Sequence, residues 1–301
     1  MTILPIGTRV VARTPIAGTR RAYPEGTIAE IIDTPTDATH NYRVRLADGY
    51  ECSLARDAFT LLRTLQDAGV EAGRAALEDH ELASAVIYRC IVGSRAYGLD
   101  SASSDTDTRG VYLPPAERHW SLFGVPEQLE NPATDEVYWE IQKFLVLALK
   151  ANPNILEVLY SPEVVSTTPV GDELVGMRDR FLSKLVFQTY NGYVMSQFKK
   201  LTQRQRRGDP IHWKHAMHLI RLLLAGIGVL RDAVVPVRVA DQHRDDLLAI
   251  RSGGWSLEAV DRWRVELHAE FEAAYRTTPL PERPDYDAAN AFLLRARRAA
   301  L

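Results

Sequence analysis

Apolar and polar positions follow three rhythms along this 301-residue chain. Up to residue 63 the apolar runs are short and alternate with polar residues: "GTRVVAR", "GTIAEIID" and "NYRVRLADGYECSL", separated by Gly, Pro, Asp and Asn. That period of two predicts strands. "ADGY" at Ala47–Tyr50 predicts a tight hairpin, because Asp-Gly tolerates positive φ. Several strands in so short a segment predict a small β-barrel. Residues 64–84 have helical composition and no proline, and predict a connecting helix. Residues 85–165 mix strand-like and helix-like runs. From 172 onward the helical period dominates. "FLSKLVFQTYNGYVMSQFKKL", "WKHAMHLIRLLLAGIGVLRD", "HRDDLLAIRSG", "SLEAVDRWRVELHAEFEAAYR" and "YDAANAFLLRARRAA" predict helices, broken at "RRGDP", "VVPVR", "RSGGW" and "TTPLPERPD". The expectation is a multi-domain α+β chain with parts at 1–63, 64–84, 85–165 and 172–301.

Bulk composition excludes more than it predicts. Hydrophobic residues at 46% and charged residues at 25% are ordinary for a globular protein. The net charge of −3 gives no global field for a polyanion, so a nucleic-acid site must be a local basic patch. Cys52 and Cys90 stand alone, without CxxC or Cys/His spacing, which argues against a disulfide scaffold or structural zinc and suits the cytoplasm. "MTILPIGTRVVART" lacks the apolar core of a signal peptide. "LIRLLLAGIGVL" is too short to span a bilayer, so no membrane partner is expected.

The chemistry concentrates in "CIVGSRAYGLDSASSDTDTRGVYL" (Cys90–Leu113). "AVIYRCIVG" reads as a buried strand ending in Gly93. Gly93 permits a tight turn and close backbone approach. Ser94 offers a hydroxyl and can cap the helix that starts there. A strand feeding a helix N-terminus through Gly-Ser makes an anion site from free N–H groups. "DTDTRGVYL" reads as a second strand, on which Asp105 and Asp107 project from one face. Two carboxylates so close raise each other's pKa unless a cation lies between them. Mg²⁺ takes hard oxygen ligands and commonly binds through carboxylates plus substrate phosphates, so a nucleotide-bound metal would resolve the repulsion. Arg95 and Arg109 lie near this motif, and Arg109 can pair with a phosphate or with the aspartates themselves.

Gly-Ser, a spacer of about ten residues and Asp-x-Asp on a strand resembles the signature of DNA polymerase beta type nucleotidyltransferases. "GSRAYGLDSASSDTDTRGVYLPP" looks more specifically like the RlaP group, predicted nucleotidyltransferases found beside RNA ligases and in phages. "DEVYWEIQKFLVLALKANPNILEVLYSP" (Asp135–Pro162), "WKHAMHLIRLL", "LLAIRSGGWSLEAV" and "LPERPD" extend the resemblance to about residues 85–295. It implies a polymerase-beta-like α/β core with a mixed sheet and a C-terminal helical bundle. The implied activity is transfer of a nucleotidyl group from an NTP, ATP included, to an acceptor hydroxyl with Mg²⁺ or Mn²⁺ bound. It also implies a third carboxylate beside Asp105 and Asp107. Asp135 is the first choice, with Glu136 and Glu140 as alternatives, and Asp135 is equally placed to cap a helix over "VYWEIQKFLVLALK". The N-terminal strands loosely resemble SH3-like barrels of the KOW and Tudor type, which would bind RNA or a peptide or cap the next domain.

Two basic stretches remain. "HWKHAMHLIRLL" sets His215, His218 and Arg221 along a slanted row of one helix, beside Lys214. By resemblance to the second domain of these transferases, Lys214, His218 and Arg221 would clamp the triphosphate or the acceptor. "FKKLTQRQRRGD" carries Lys199, Lys200, Arg204, Arg206 and Arg207 against one acid, Asp209, and is the best local patch for a polyanion. An RNA end is therefore the expected acceptor. A protein, an aminoglycoside-like molecule, or a catalytically silent sensor of nucleotides or nucleic acid are the alternatives.

Overall fold

A computed structural model describes residues 3–18, 22–35, 40–64, 82–101, 104–131 and 133–301. The chain divides into two compact units, one of residues 1–79 with 122–124, the other of residues 80–121 with 125–301. Most of the expected connecting helix falls at 65–81, outside the described residues.

Seven strands are described in the first unit: β1 (Arg9–Ala12), β2 (Ile16–Ala17), β3 (Ala22–Tyr23), β4 (Ile28–Asp33), β5 (Tyr42–Leu46), β6 (Glu51–Leu54) and β7 (Phe59–Leu61). Five form an antiparallel sheet in the order β6-β5-β4-β1-β7, and β2 pairs with β3. Alternation sets the faces. Tyr42, Val44 and Leu46 of β5 are buried while Arg43 and Arg45 are exposed, as a half-buried strand requires. The core of this unit is Val10, Ile31, Val44 and Phe59 with their neighbours. The Asp48-Gly49 hairpin forms between β5 and β6, closed by the Leu46 N–H on the Tyr50 carbonyl at 2.8 Å.

In the second unit a mixed sheet carries the site. Its strands are β8 (Val86–Val92), β9 (Asp107–Tyr112), β10 (Gln128–Asn131), β11 (Glu136–Glu140) and β12 (Val164–Thr167), in the order β10-β11-β9-β8-β12. β9 and β11 run parallel and the other pairs antiparallel. Ten helices are described: α1 (Gly93–Tyr97), α2 (Ala116–Trp120), α3 (Ile141–Leu149), α4 (Pro153–Tyr160), α5 (Pro169–Gly176), α6 (Leu185–Arg206), α7 (Trp213–Asp232), α8 (Asp241–Arg251), α9 (Leu257–Thr277) and α10 (Tyr286–Ala299). Helix α7 is apolar almost all round and buries twelve residues, so it can only lie inside a core. Tyr88, Cys90 and Val111 of the sheet, Phe144 of α3 and Leu222 of α7 accordingly belong to one apolar cluster. The sheet and the C-terminal helices therefore share a core. Gly226 of α7 has a packing reason: a Cβ there would meet the rings of Phe271 and Tyr190 at 2.9 and 3.0 Å.

The stretch expected as a helix over "VYWEIQKFLVLALK" is half strand. Glu136–Glu140 forms β11, and α3 begins only at Ile141. Its alternating branched and aromatic side chains suit the pleat, with Tyr138 and Glu140 buried. Glu140, not Asp135, caps the helix, accepting from the N–H groups of Gln142 and Lys143 at 2.8 and 3.3 Å.

Candidate active site

Strand β8 ends at Val92, and its last pairing is Val92 with Asp107. There the chain turns at Gly93 into α1. Gly93 has φ 72°, and a Cβ on it would stand 2.2 Å from Asp107 Oδ2. Only a residue without a side chain fits both the backbone and the close approach of that carboxylate. With five residues, α1 offers first-turn N–H groups and little macrodipole.

The same strand end corrects the expectation for Asp105. With no β8 residue beyond Val92 to pair with, β9 starts at Asp107, and Asp105 and Thr106 are exposed on the preceding loop. Arg95 is exposed too, and donates from Nη2 to the Ser104 carbonyl at 3.2 Å, bracing that loop.

The partner of Asp107 comes instead from the mouth of β11. In the parallel ladder Glu136 pairs with Thr108 and Val137 with Arg109, so Glu136 shares the Thr108 face, opposite Asp107 and Arg109. Asp135, one residue earlier, lies on the Asp107 side. Its backbone is left-handed, with φ 49°, and its carbonyl accepts from the Thr108 N–H at 3.1 Å. Arg109 holds it twice, with Nη2 on Oδ1 at 3.0 Å and Nη1 on the carbonyl at 2.6 Å. Glu140 is buried on the Glu136 face, where Arg297 of α10 pairs with it. Of the three acids considered as a third carboxylate, Asp135 alone meets Asp107.

The two carboxyls shift each other in opposite directions. Burial pushes the Asp107 carboxyl up, and its hydrogen bond with Asp135 and the Asp135 charge push the same way, against Arg109 and Lys214. Asp135 is held down by the hydrogen bond from Asp107, with Arg109 and Lys214 acting in the same sense. Of the two, Asp107 is the one whose carboxyl is more readily protonated and Asp135 the one more readily ionised.

A cavity of about 580 Å³ opens at this corner, a volume suited to a nucleotide-sized ligand. Gly93, Ser94 and Asp107 form one part of its wall; Lys214 and His218 of α7 form another. Burial, with the charge of Arg221, drives the His218 imidazole down to about 4, so it is neutral at pH 7.

Arg221 departs from its expected role. Its side chain is 2% exposed and pairs with Glu157 of α4 at 2.7 Å. Its guanidinium lies 3.7 Å from the centre of the Tyr97 ring, and Nη2 is 3.3 Å from His218 Nδ1. Tyr97 Oη donates to the other Glu157 oxygen at 2.6 Å. One turn beyond His218, a slanted row on α7 has passed from the cavity into the core. Arg221 therefore holds α1, α4 and α7 together.

Tyr97, Gln197 and Arg251 line the cavity and were not singled out by the sequence; Lys200 and Arg204 of α6, read there as part of a polyanion patch, line it too. The Arg251 guanidinium donates to the Leu99 carbonyl at 2.7 Å. A usable signal existed for Glu157: a lone acid inside the apolar run "NILEVLY" needs a buried cation. For Gln197 and Arg251 there was none, since polar residues on helices are usually solvated.

Among the described residues no three His, Cys, Asp or Glu side chains converge to enclose a metal, and no helix is long and apolar enough to cross a membrane. The donor chemistry still suits a hard divalent cation. Asp107 and Asp135 bring their carboxyls together where an ion would neutralise both, and the exposed Asp105 is two residues upstream of Asp107.

Over 79 residues the chain is 38% identical to YcgL of Bacillus subtilis (strain 168), an uncharacterized protein, covering 25% of this chain and 30% of YcgL. Over 174 residues it is 24% identical to MJ0002 of Methanocaldococcus jannaschii, also uncharacterized, covering 54% of this chain and 70% of MJ0002. The chain thus spans less than a third of the length of YcgL. No solved structure matches. The model of the RNA repair pathway DNA polymerase beta family, RlaP, matches residues 70–295. That span includes both carboxylates, the Gly-Ser corner and the helical wall of the cavity, and the chain belongs to the RlaP family.

Proposed function

We propose that this protein transfers a nucleotidyl group from an NTP to the hydroxyl of an RNA end, releasing pyrophosphate, and that the reaction needs a divalent cation. One observation carries the reading: the Asp107 and Asp135 carboxyls meet against Gly93, at a cavity wall shared with Ser94 and Lys214. Membership of the RlaP family supports nucleotidyl transfer and a link to RNA repair.

Asp107 and Asp135, joined by Asp105, would hold Mg²⁺ or Mn²⁺, which when bound neutralises phosphate charge and eases departure of pyrophosphate. Gly93 leaves room for phosphate beside the backbone, and Ser94 with the first N–H groups of α1 would bind the β- and γ-phosphates. Lys214 supplies a positive charge on the same side. Arg109 fixes the Asp135 carboxylate, which is held ionised and can accept the proton of the attacking hydroxyl. The acceptor oxygen then bonds to the α-phosphorus as the bond to the β-phosphate oxygen breaks. His218, neutral at pH 7, packs beside the cavity and contributes a hydrogen-bonding edge rather than charge. The work of these residues is positioning and exclusion of water more than proton chemistry.

The test is incubation with each α-labelled NTP, Mg²⁺ or Mn²⁺, and RNA. Label on RNA, lost in Asp107→Asn, is the expected result. Label on protein or on an aminoglycoside would redirect the acceptor. NTP binding without transfer, unaffected by Asp107→Asn, would point to a silent sensor.

A further inference from the structure

We propose that the cavity wall built by Lys200, Arg204, His212 and His215 binds the phosphodiester backbone of a single-stranded acceptor, in a subsite apart from the triphosphate seat. Calling the ligand an acceptor rests on the proposed transfer activity; the subsite itself rests on the packing and the charge of α6 and α7.

Gln197, Lys200, Leu201 and Arg204 are spaced i, i+3, i+4 and i+7 on α6, and all four face the cavity. His212 and His215, at the start of α7, face them. His215 Nε2 lies 3.0 Å from Gln197 Oε1, which ties the two helices together at this point. The imidazole of His215 is held down by burial and then by the positive charges of His212, Lys200 and Arg204, so these groups form one cluster.

No acidic side chain among the described residues compensates this charge. Among the described residues neither Lys200 nor Arg204 has an acidic partner, and the cavity lining holds a single acid, Asp107. That acid answers to other cations. Arg109 and Lys214 act on Asp107 and Asp135, whereas Lys200 and Arg204 act on His215. The cavity therefore has two basic groups. One lies at the carboxylates, where a triphosphate must be; the other lies along α6.

The direction of α6 decides which ligand the second group fits. Arg206 and the capping Arg207 carry the same charge onward past Arg204 at its exposed C-terminal end, outside the cavity lining. A mononucleotide ends inside a pocket of this size. A strand continues out of it, and a basic track leading away from the cavity matches the charge spacing of a phosphodiester chain.

The experiment compares the parent chain with the double substitution Lys200→Gln, Arg204→Gln. Both side chains are exposed, so the substituted chain should fold as the parent does. Binding of a fluorescent oligouridylate of about 12 nucleotides is followed by anisotropy, without NTP, across a salt series. Mg²⁺-ATP binding is followed separately by equilibrium dialysis. The expected outcome is RNA affinity reduced about tenfold or more and a log–log salt slope shallower by about 1.4, two contacts at ~0.7 each for a single strand. ATP affinity should stay within about twofold, a change worth under ~0.5 kcal/mol. Equal weakening of ATP and RNA would make the cluster part of the triphosphate seat and overturn the proposal. So would RNA binding that is unchanged by the substitution or absent from the parent chain. RNA binding that depends on these residues in a chain that transfers no label would uphold the subsite and reject nucleotidyl transfer.

Discussion

Helix α7 serves two charged constellations that the fold treats in opposite ways. At its N-terminal end Lys214 faces two carboxyls that repel each other and a cavity open to solvent, with the Asp135 side chain 53% exposed. Two turns on, Arg221 and Glu157 are 2% and 3% exposed, and pair with each other, with Tyr97 on Glu157 and His218 beside Arg221 Nη2, while Arg221 Nε and Nη1 have no hydrogen-bond partner among the described residues. A buried charge must find its partner within the protein, because desolvation costs several kcal/mol per ion. A charge at a cavity wall has no such obligation, and a repelling pair left there is stability given up for a ligand. The same contrast separates the second unit from the first, where Arg45 and Glu51 pair across exposed strand faces at 2.8 Å and contribute little beyond solubility.

Four measurements would break or sharpen this comparison. The largest effect is expected for Asp107→Asn. Transfer should fall by about three powers of ten or more, ~4 kcal/mol of barrier, while the melting temperature holds or rises because a repulsion is removed. A clear drop in melting temperature would put the acid pair in the structural class with Arg221. Next, Arg221→Met leaves Glu157 buried without a cation and should cost about 3–5 kcal/mol in urea unfolding. Adding Glu157→Leu should restore much of the loss. If the double variant is no better than the single one, Arg221 and Glu157 do not form a self-contained unit.

The third measurement uses pH. The folded pKa of His218 lies at about 4, below the ordinary 6.5. The unfolded chain therefore binds this proton first as the solution is acidified. The His218 contribution should hold above pH 6.5 and be lost progressively down to pH 4, by up to about 3 kcal/mol. His218→Asn should flatten the stability profile over that window; an unchanged profile would mean the imidazole is solvated. The smallest effect is expected for Gly93→Ala. Left-handed backbone without glycine costs about 1–2 kcal/mol of stability, read from thermal melts. The displaced Asp107 should also lower the transfer rate about tenfold or more.

Much of the frame was legible in the residues. Strand β8, the Gly-Ser corner and the helices from α6 to α10 follow from periods of two and of 3.6, which are local properties. Period failed at Glu136–Glu140, where apolar spacing over "VYWEIQKF" fits a helix as well as a strand. The strand won because β9 offered a parallel edge. Asp105 and Asp107 looked equivalent for the same reason. Local alternation says they share a face, yet only the end of the β8 ladder decides that one is in the sheet and the other in solvent.

What the sequence by itself determined is an inventory: a Gly-Ser turn after a buried strand, acids beside it, cations on two later helices. Their chemistry is intrinsic to the side chains and survives in any arrangement. Tertiary structure alone decided which acid meets Asp107, which end of α7 faces the cavity, and that Lys200 and Arg204 face His215 rather than the carboxylates. Each of these depends on residues from distant parts of the chain. Register between strands and rotation between packed helices are set by the burial of the whole core, and no local pattern encodes them.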